Sequence, residues 1–248
     1  MPLTFAHPAL ILPFTSISAR FVSVTGLIVG SMVPDFEYFI RLKIESNVSH
    51  ALTGLLWFDM PVGVLVCLGF HVFARRSLLR NLPAIIQQRV PQANEQWLKY
   101  FAKHWPIVLL SLMIGASSHL VWDAFTHRHG FGVIAFPILA DSSNIFGQTI
   151  PVFKLLQHSS TVIGAICIFI FVVRAPKVSP VDKGYPSLRY WLSVAAFVVI
   201  LLAIKLVSSG RTSIGDLIAT ATAGLCLGLL LVPIGQQIFS HETLTETI

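Results

Sequence analysis

Charge is what this chain has least of. Of its 248 residues only 11% are charged, whereas 54% are hydrophobic and the mean hydropathy is +0.76. Charged residues approach about a quarter of a soluble globular chain, so this arithmetic excludes a soluble two-domain enzyme, a disordered scaffold and a collagen-like chain. Cysteine is scarce too. Cys67, Cys167 and Cys226 stand alone in apolar runs with no CxxC pair, which excludes a disulfide framework and a thiolate metal site. Acidic residues number 11 against 17 basic ones, a net charge of +6. The basic clusters lie between apolar runs with no aromatic-basic platform, so they report membrane orientation, and nucleic acid is not an expected partner. The start, MPLTFAHPALILPF, lacks a basic n-region and is broken by Pro2, Pro8 and Pro13, and reads as part of the mature fold.

What is present is a series of apolar runs. A bilayer core requires about 20 apolar residues per helix, and five stretches approach or meet this, at roughly 51–73, 105–126, 159–174, 188–208 and 213–235; the third is expected to begin earlier, near Pro151. Residues 8–33 are interrupted by Pro13, TSIS and Arg20, which suits two short helices, re-entrant or interfacial, better than one span. The fold class expected is all-α, a polytopic membrane helix bundle of about five transmembrane helices plus this broken N-terminal segment. It forms one integral domain over 1–248. Within the polar connections, PAIIQQRV and QWLKYFAKHW read as short amphipathic helices.

Arg75, Arg76, Arg80, Arg89, Lys99 and Lys103 face Glu95 alone in the first long connection, which the positive-inside tendency places in the cytoplasm. Alternation then puts residues 127–158 outside. Arg174, Lys177, Lys183 and Arg189, opposed by Asp182, fall inside with the tail HETLTETI.

Ionisable groups near hydrocarbon are costly and usually paired, ligated or functional. In SHLVWDAFTH, His119, Asp123 and His127 recur at i, i+4 and i+8, one helical face; imidazole and carboxylate together suit zinc, manganese or iron. A helix end emerging into water explains any one of them, but not all three on one face. His50 in VSHALTG falls at the same outer boundary. Asp35 in GSMVPDFEYF is presented from a helix–loop junction as ligand or cap, and Glu37 is open between base, second-shell partner and exposed acid. His7 and His158 are weak alone, yet topology brings all seven to one side. His71, His104 and His241 fall on the opposite side with ordinary surface roles, and His129 lies off the stripe. Asp59 lies about two and a half helical turns beyond His50, inside the hydrocarbon, where Arg20 is the expected partner. Lys205 is expected to reach Asp216.

The ordered series of TFAHPA, GSMVPDFEYF, SHALTGL, SHLVWDAFTH and KLLQHSS, spanning most of the first 160 residues, resembles a family of bacterial membrane-bound metal-dependent hydrolases. More distantly, the ligand order is similar to that of zinc-dependent phospholipase C and the fungal single-strand nucleases. The resemblance implies a metal set of His7, Asp35, His50, His119, Asp123, His127 and His158, with Asp123 bridging toward an ion bound by His7, and with 161–248 as transmembrane scaffold. It also implies a bacterial cytoplasmic membrane. Those soluble enzymes use an N-terminal Trp and a carboxylate four residues after the last His; here stand Met1 and Val162. One or two divalent ions, zinc first, are therefore expected instead of three.

A metal pair at about 3.5–4 Å polarises a phosphoryl oxygen and lowers the pKa of a bound water. Asp35, then Glu37, is the first candidate to orient or deprotonate that water, and Arg41 or Arg128 to meet a phosphate. A site at the outer headgroup level makes a lipid or polyprenyl phosphate the expected substrate. The alternatives are a metal or proton transporter with Asp59 on its path, and a non-catalytic scaffold stapled by its metal.

Overall fold

The computed structural model describes residues 3–90, 95–145, 147–178 and 185–245; Asp182, Lys183 and the last three residues of the tail lie outside them. The chain is an all-α polytopic bundle, 76% helical. Among the described residues, five helices are long and apolar enough to cross a membrane, at Leu52–Asn81, Trp97–Thr126, Val152–Arg174, Leu188–Ser208 and Ile214–Ile238. The third starts directly after Pro151, where the sequence places it.

The described elements run in chain order as a 3₁₀ helix Thr4–Ser16, α1 (Val24–Gly30), a 3₁₀ turn Val33–Asp35, α2 (Phe36–Arg41), α3 (Leu52–Asn81), α4 (Ala84–Gln87) and α5 (Glu95–Thr126). There follow α6 (Phe131–Ala135), the antiparallel strands β1 (Ser142–Ile145) and β2 (Gln148–Pro151), α7 (Val152–Arg174), α8 (Leu188–Ser208) and α9 (Ile214–Thr245). The N-terminal excursion is thus two short helices. Pro8 and Pro13 lie inside the first, where absent N–H groups and ring clashes disfavour α-helical bonding and leave a tighter winding. Pro61 disturbs α3 by the same missing N–H, with the opposite result. It cannot donate to the carbonyl of Trp57, and the turn Leu55–Asp59 before it widens to a π-helix. QWLKYFAKHW is not a separate surface helix; it is the first part of α5, bent at His104 (φ −124°, ψ 26°) two residues before Pro106.

By contact density the chain divides into two compact units. Unit 1 comprises Met1–Asp35, Asn47–Val64 and His104–Arg174; unit 2 comprises Phe36–Ser46, Leu65–Lys103 and Ala175–Ile248.

Unit 1 is organised by contacts between small residues. Gly26 and Gly30 on α1 face Ser111 and Gly115 on α5. A Cβ on Gly30 would lie 2.2 Å from the Leu112 carbonyl oxygen, and one on Gly115 would lie 2.4 Å from that of Leu27. The two backbones touch, as small-xxx-small pairs permit. Ser23 caps α1, its Oγ accepting from Gly26 N at 3.2 Å while its own N–H donates to Ser111 Oγ at 2.9 Å. The N-terminal 3₁₀ helix lies on α7, with Gly164 against Ala6 and Leu3 N–H donating to Thr161 Oγ1 at 3.0 Å.

Unit 2 is held by the α8–α9 pair. Gly224 and Gly228 sit against the backbone of Val198 and Val194, with Tyr190, Val194 and Val232 buried beside them. The α8 N-terminus is fixed by Asn81, which accepts from Ser187 N–H at 2.8 Å and, through its carbonyl, from Trp191 Nε1 at 3.0 Å. Asp216 does not serve Lys205 first; it accepts from Ile44 N–H at 2.8 Å and Ser213 N–H at 3.3 Å.

Candidate metal centre

The α1–α5 contact decides where the polar residues go. Ser111, Gly115, His119 and Asp123 are spaced by four on α5, and His127 follows four residues later, just past the helix end. The first two clamp α1, so the end of α1 lies beside the third. The carbonyl of Ser31, just past Gly30, accepts a hydrogen bond from His119 Nδ1 at 2.8 Å. A carbonyl can only accept, so Nδ1 carries the proton and the Nε2 lone pair points the other way. The turn through Pro34 brings Asp35 to that lone pair, and the residue before α3 supplies His50.

Four donors then converge. His119 Nε2 lies 3.4 Å from Asp35 Oδ1 and 3.4 Å from Asp123 Oδ2; His50 Nε2 lies 3.6 Å and 3.5 Å from the same two oxygens. Charge-assisted hydrogen bonds are about 2.7–2.9 Å long, so these contacts are too long to be bonds between the residues. They are the spacing of donors around a shared point, because a tetrahedral shell about 2.1 Å from its centre sets neighbouring donors about 3.4 Å apart. His119 Nε2, Asp35 Oδ1 and both Asp123 oxygens are buried and make no hydrogen bond. Leaving such groups dry costs about 1–3 kcal/mol each, and more when charged; a cation at the centre would satisfy His119 Nε2, Asp35 Oδ1 and Asp123 Oδ2, the oxygen that faces it. Asp35, His50, His119 and Asp123 thus form a cluster that could bind a metal ion.

The surroundings orient these donors. Thr4 Oγ1 donates a short hydrogen bond to Asp35 Oδ2, leaving Oδ1 toward the centre. Ser49 Oγ lies 3.0 Å from His50 Nδ1, which leaves Nε2 inward. Such partners fix tautomer and ring orientation in metal sites. Burial works to raise the Asp35 carboxyl, but the His119, His50 and His7 imidazoles outweigh it and hold the group below the usual carboxylate range. Burial works to lower His50, and the Asp123 and Asp35 carboxylates outweigh it and raise it.

His7 is adjacent. Its ring stacks on His119 at 3.8 Å, its Nε2 is 3.8 Å from Asp123 Oδ1, and both of its ring nitrogens are buried without a hydrogen bond. Burial, reinforced by His119, pushes its pKa down to about 3, so its ring is neutral at physiological pH. Asp123 therefore faces the four-donor centre through Oδ2 and His7 through Oδ1. His127 stands at the edge. Its Nδ1 lies 3.0 Å from the Asp123 carbonyl oxygen and 3.7 Å from Oδ2, and burial lowers its pKa. The side chains of His50 and His127 are 20% and 36% exposed, against 0% for His7, Asp35 and His119, so His50 and His127 are the members of the group nearest its surface.

Other residues do not join. His158 is exposed on α7 and outside the four-donor group. Glu37 is buried and engaged, accepting from Arg41 Nε at 2.8 Å and Ser46 Oγ at 2.9 Å; this ties down the 36–46 turn and commits Arg41 as well. Arg128 and His129 are exposed. Asp59 is fully buried, whereas Arg20 is exposed with its guanidinium 5.7 Å from the Phe21 ring centroid. His71 stacks on Trp97 at 4.0 Å in unit 2.

The sequence reading missed Thr4, Ser31, Ser49, Gly30 and Gly115. The glycines carried a signal, since GLIVG and SLMIG are both small-xxx-small and the second runs in register into the His119 stripe. Thr4 and Ser31 carried none, because a hydroxyl and a backbone carbonyl become orienting groups only once the chain is folded.

The family model described as Domain of unknown function (DUF4184) matches residues 1–234. The comparisons with curated proteins and with solved structures returned no match. They bring no likeness to metal-dependent hydrolases, phospholipase C or nucleases, so those readings rest on ligand order and geometry. Matched over nearly its whole length, the chain belongs to the DUF4184 family.

Proposed function

We propose that this protein is a membrane-embedded, metal-dependent hydrolase that cleaves a phosphoester of a lipid or polyprenyl phosphate at the extracytoplasmic face of the bacterial cytoplasmic membrane. The observation that carries the reading is the four-donor cluster of Asp35, His50, His119 and Asp123, whose ligand atoms all lie within 4.8 Å of one another, with buried donors that make no hydrogen bond and with His50 and His127 partly exposed beside it. A two-nitrogen, two-oxygen set suits zinc first. A divalent cation held there polarises a phosphoryl oxygen and makes a bound water more acidic.

The chain supplies the rest. Asp35, with one oxygen on Thr4 and the other at the centre, is a ligand and not the base, and Glu37 is spent on Arg41 and Ser46. Proton acceptance falls to a neutral imidazole: His127, whose Nδ1 is held on a carbonyl and whose Nε2 is left for water, stands at the partly exposed edge. Sidedness follows from charge, since α3 begins beside His50 and runs into Arg75, Arg76 and Arg80, the cytoplasmic signature.

The test is elemental analysis of protein purified without added metal, with assays on bis(p-nitrophenyl) phosphate and on phospholipid. About one zinc per chain, with turnover lost in His119→Ala and Asp123→Ala, supports the reading. Metal-free wild type overturns it. Stoichiometric metal with no turnover of any phosphoester assigns the metal to stapling the helix ends instead.

A further inference from the structure

A cavity of about 290 Å³ lies in unit 1 between the N-terminal 3₁₀ helix and α7, walled by Ala6, Ala9, Leu10, Trp122, Ile163 and Cys167, with His7 also in its lining. Its hydroxyl-bearing residues are neutralised: Ser159 Oγ donates to the Leu156 carbonyl at 3.2 Å and Ser160 Oγ to that of Gln157 at 3.0 Å. The lining is therefore mostly apolar. His7 is 2% exposed, has no hydrogen bond on either nitrogen and is stacked on His119, so one imidazole borders both the apolar slot and the candidate metal centre. The slot's other wall, α7, is a candidate membrane span whose surface is mostly uncovered by protein, so in a bilayer hydrocarbon has access to it.

We propose that this slot holds the apolar chain of a phosphate-bearing lipid, and that His7 marks where the chain ends and the phosphate, drawn to the cation at Asp35, His50, His119 and Asp123, begins. The inference rests on the metal-centre reading and sharpens it to a substrate class. A free phosphate would use the polar end alone, and a neutral lipid the apolar end alone. An anionic lipid uses both. Gly164 sets the width of the slot, because a Cβ there would come within 2.9 Å of the Ala6 carbonyl oxygen.

Trp122 in the wall is a native reporter. Full-length protein in detergent, with its metal content measured, is titrated with phosphatidic acid carrying brominated chains, and the Trp122 signal is taken as wild type minus Trp122→Phe. Quenching is expected to saturate at low lipid mole fraction. Brominated diacylglycerol should require roughly tenfold more, and inorganic phosphate should not displace the quencher's chain. Ser160→Phe and Cys167→Phe fill the slot from different positions; each should weaken phosphatidic acid roughly tenfold while metal content is unchanged. Quenching that never saturates, that is equal for diacylglycerol, or that is unaltered in both filled variants overturns the proposal. Stoichiometric metal with unsaturable quenching overturns the slot alone. Saturable, variant-sensitive quenching in protein that holds no metal overturns the metal centre and keeps the slot.

Discussion

Unit 1 and the α8–α9 pair of unit 2 use the same device for different ends. Both bring helices together through glycine, Gly30 and Gly115 in one and Gly224 and Gly228 in the other. In α8–α9 the close approach buries Tyr190, Val194 and Val232, and the contact is its own purpose. In unit 1 the same approach leads into Ser31, His119, Asp35 and Asp123, groups that are costly to bury and make no sense as packing. The histidines repeat the contrast. His71 lies flat on Trp97 in unit 2, whereas His119 has one nitrogen fixed on a carbonyl and the other aimed at two carboxylates. Burial alone does not mark a candidate site; burial with donors aimed at one common point does.

The largest expected effect breaks the centre directly. His119→Ala or Asp123→Ala should lower metal affinity by at least about 100-fold, read as metal content after dialysis against a weak chelator, while His71→Ala retains wild-type content. Equal retention in all three variants would erase the distinction between the units. Chelation should also lower the thermal midpoint of wild type, since the ion offsets buried unpaired groups.

Next in size is the glycine contrast. At Gly115 a Cβ would meet the backbone of Leu27 at 2.4 Å, and at Gly228 it would meet that of Val194 at 2.9 Å. Both Gly115→Ala and Gly228→Ala should lose roughly 1–3 kcal/mol of stability through forced separation of helices. Only Gly115→Ala should also weaken metal binding, because it moves the carbonyl that orients His119. A titration of the folded variants with zinc checks this. Equal affinities would mean that the α1–α5 contact and the centre are independent.

How much of this was legible beforehand follows the physics of range. The five spans were readable because hydropathy over about 20 residues is a local sum, and the broken N-terminal segment because Pro8 and Pro13 act on their own backbone. His119, Asp123 and His127 were readable as one helical face. Asp35 and His50 depended on topology, a coarser argument, and the fold places both at the His119 lone pair. The same argument grouped His158 with them, although α7 leaves it exposed, because assigning a residue to one end of a bundle says nothing about which way its helix is turned. The role of Glu37 was decided by Arg41 one turn later, an i,i+4 pairing visible in the sequence, and by Ser46, which required the loop to close.

A smaller effect sharpens the comparison within unit 1. Thr4→Val keeps the shape of the side chain and removes the hydroxyl on Asp35 Oδ2. Asp35 would keep its place but lose what fixes its rotation, and metal affinity should fall roughly 10–100-fold, as for other partners of ligating groups. His158→Ala, on an exposed surface of α7, should change affinity by less than about twofold. The same zinc titration measures both. A deficit in His158→Ala equal to that of Thr4→Val would return His158 to the ligand set and require α7 to present that face to the centre. An unchanged Thr4→Val would mean that Asp35 is positioned by the Pro34 turn alone, leaving the N-terminal 3₁₀ helix to contribute His7 and the wall of the slot, but no part of the four-donor cluster.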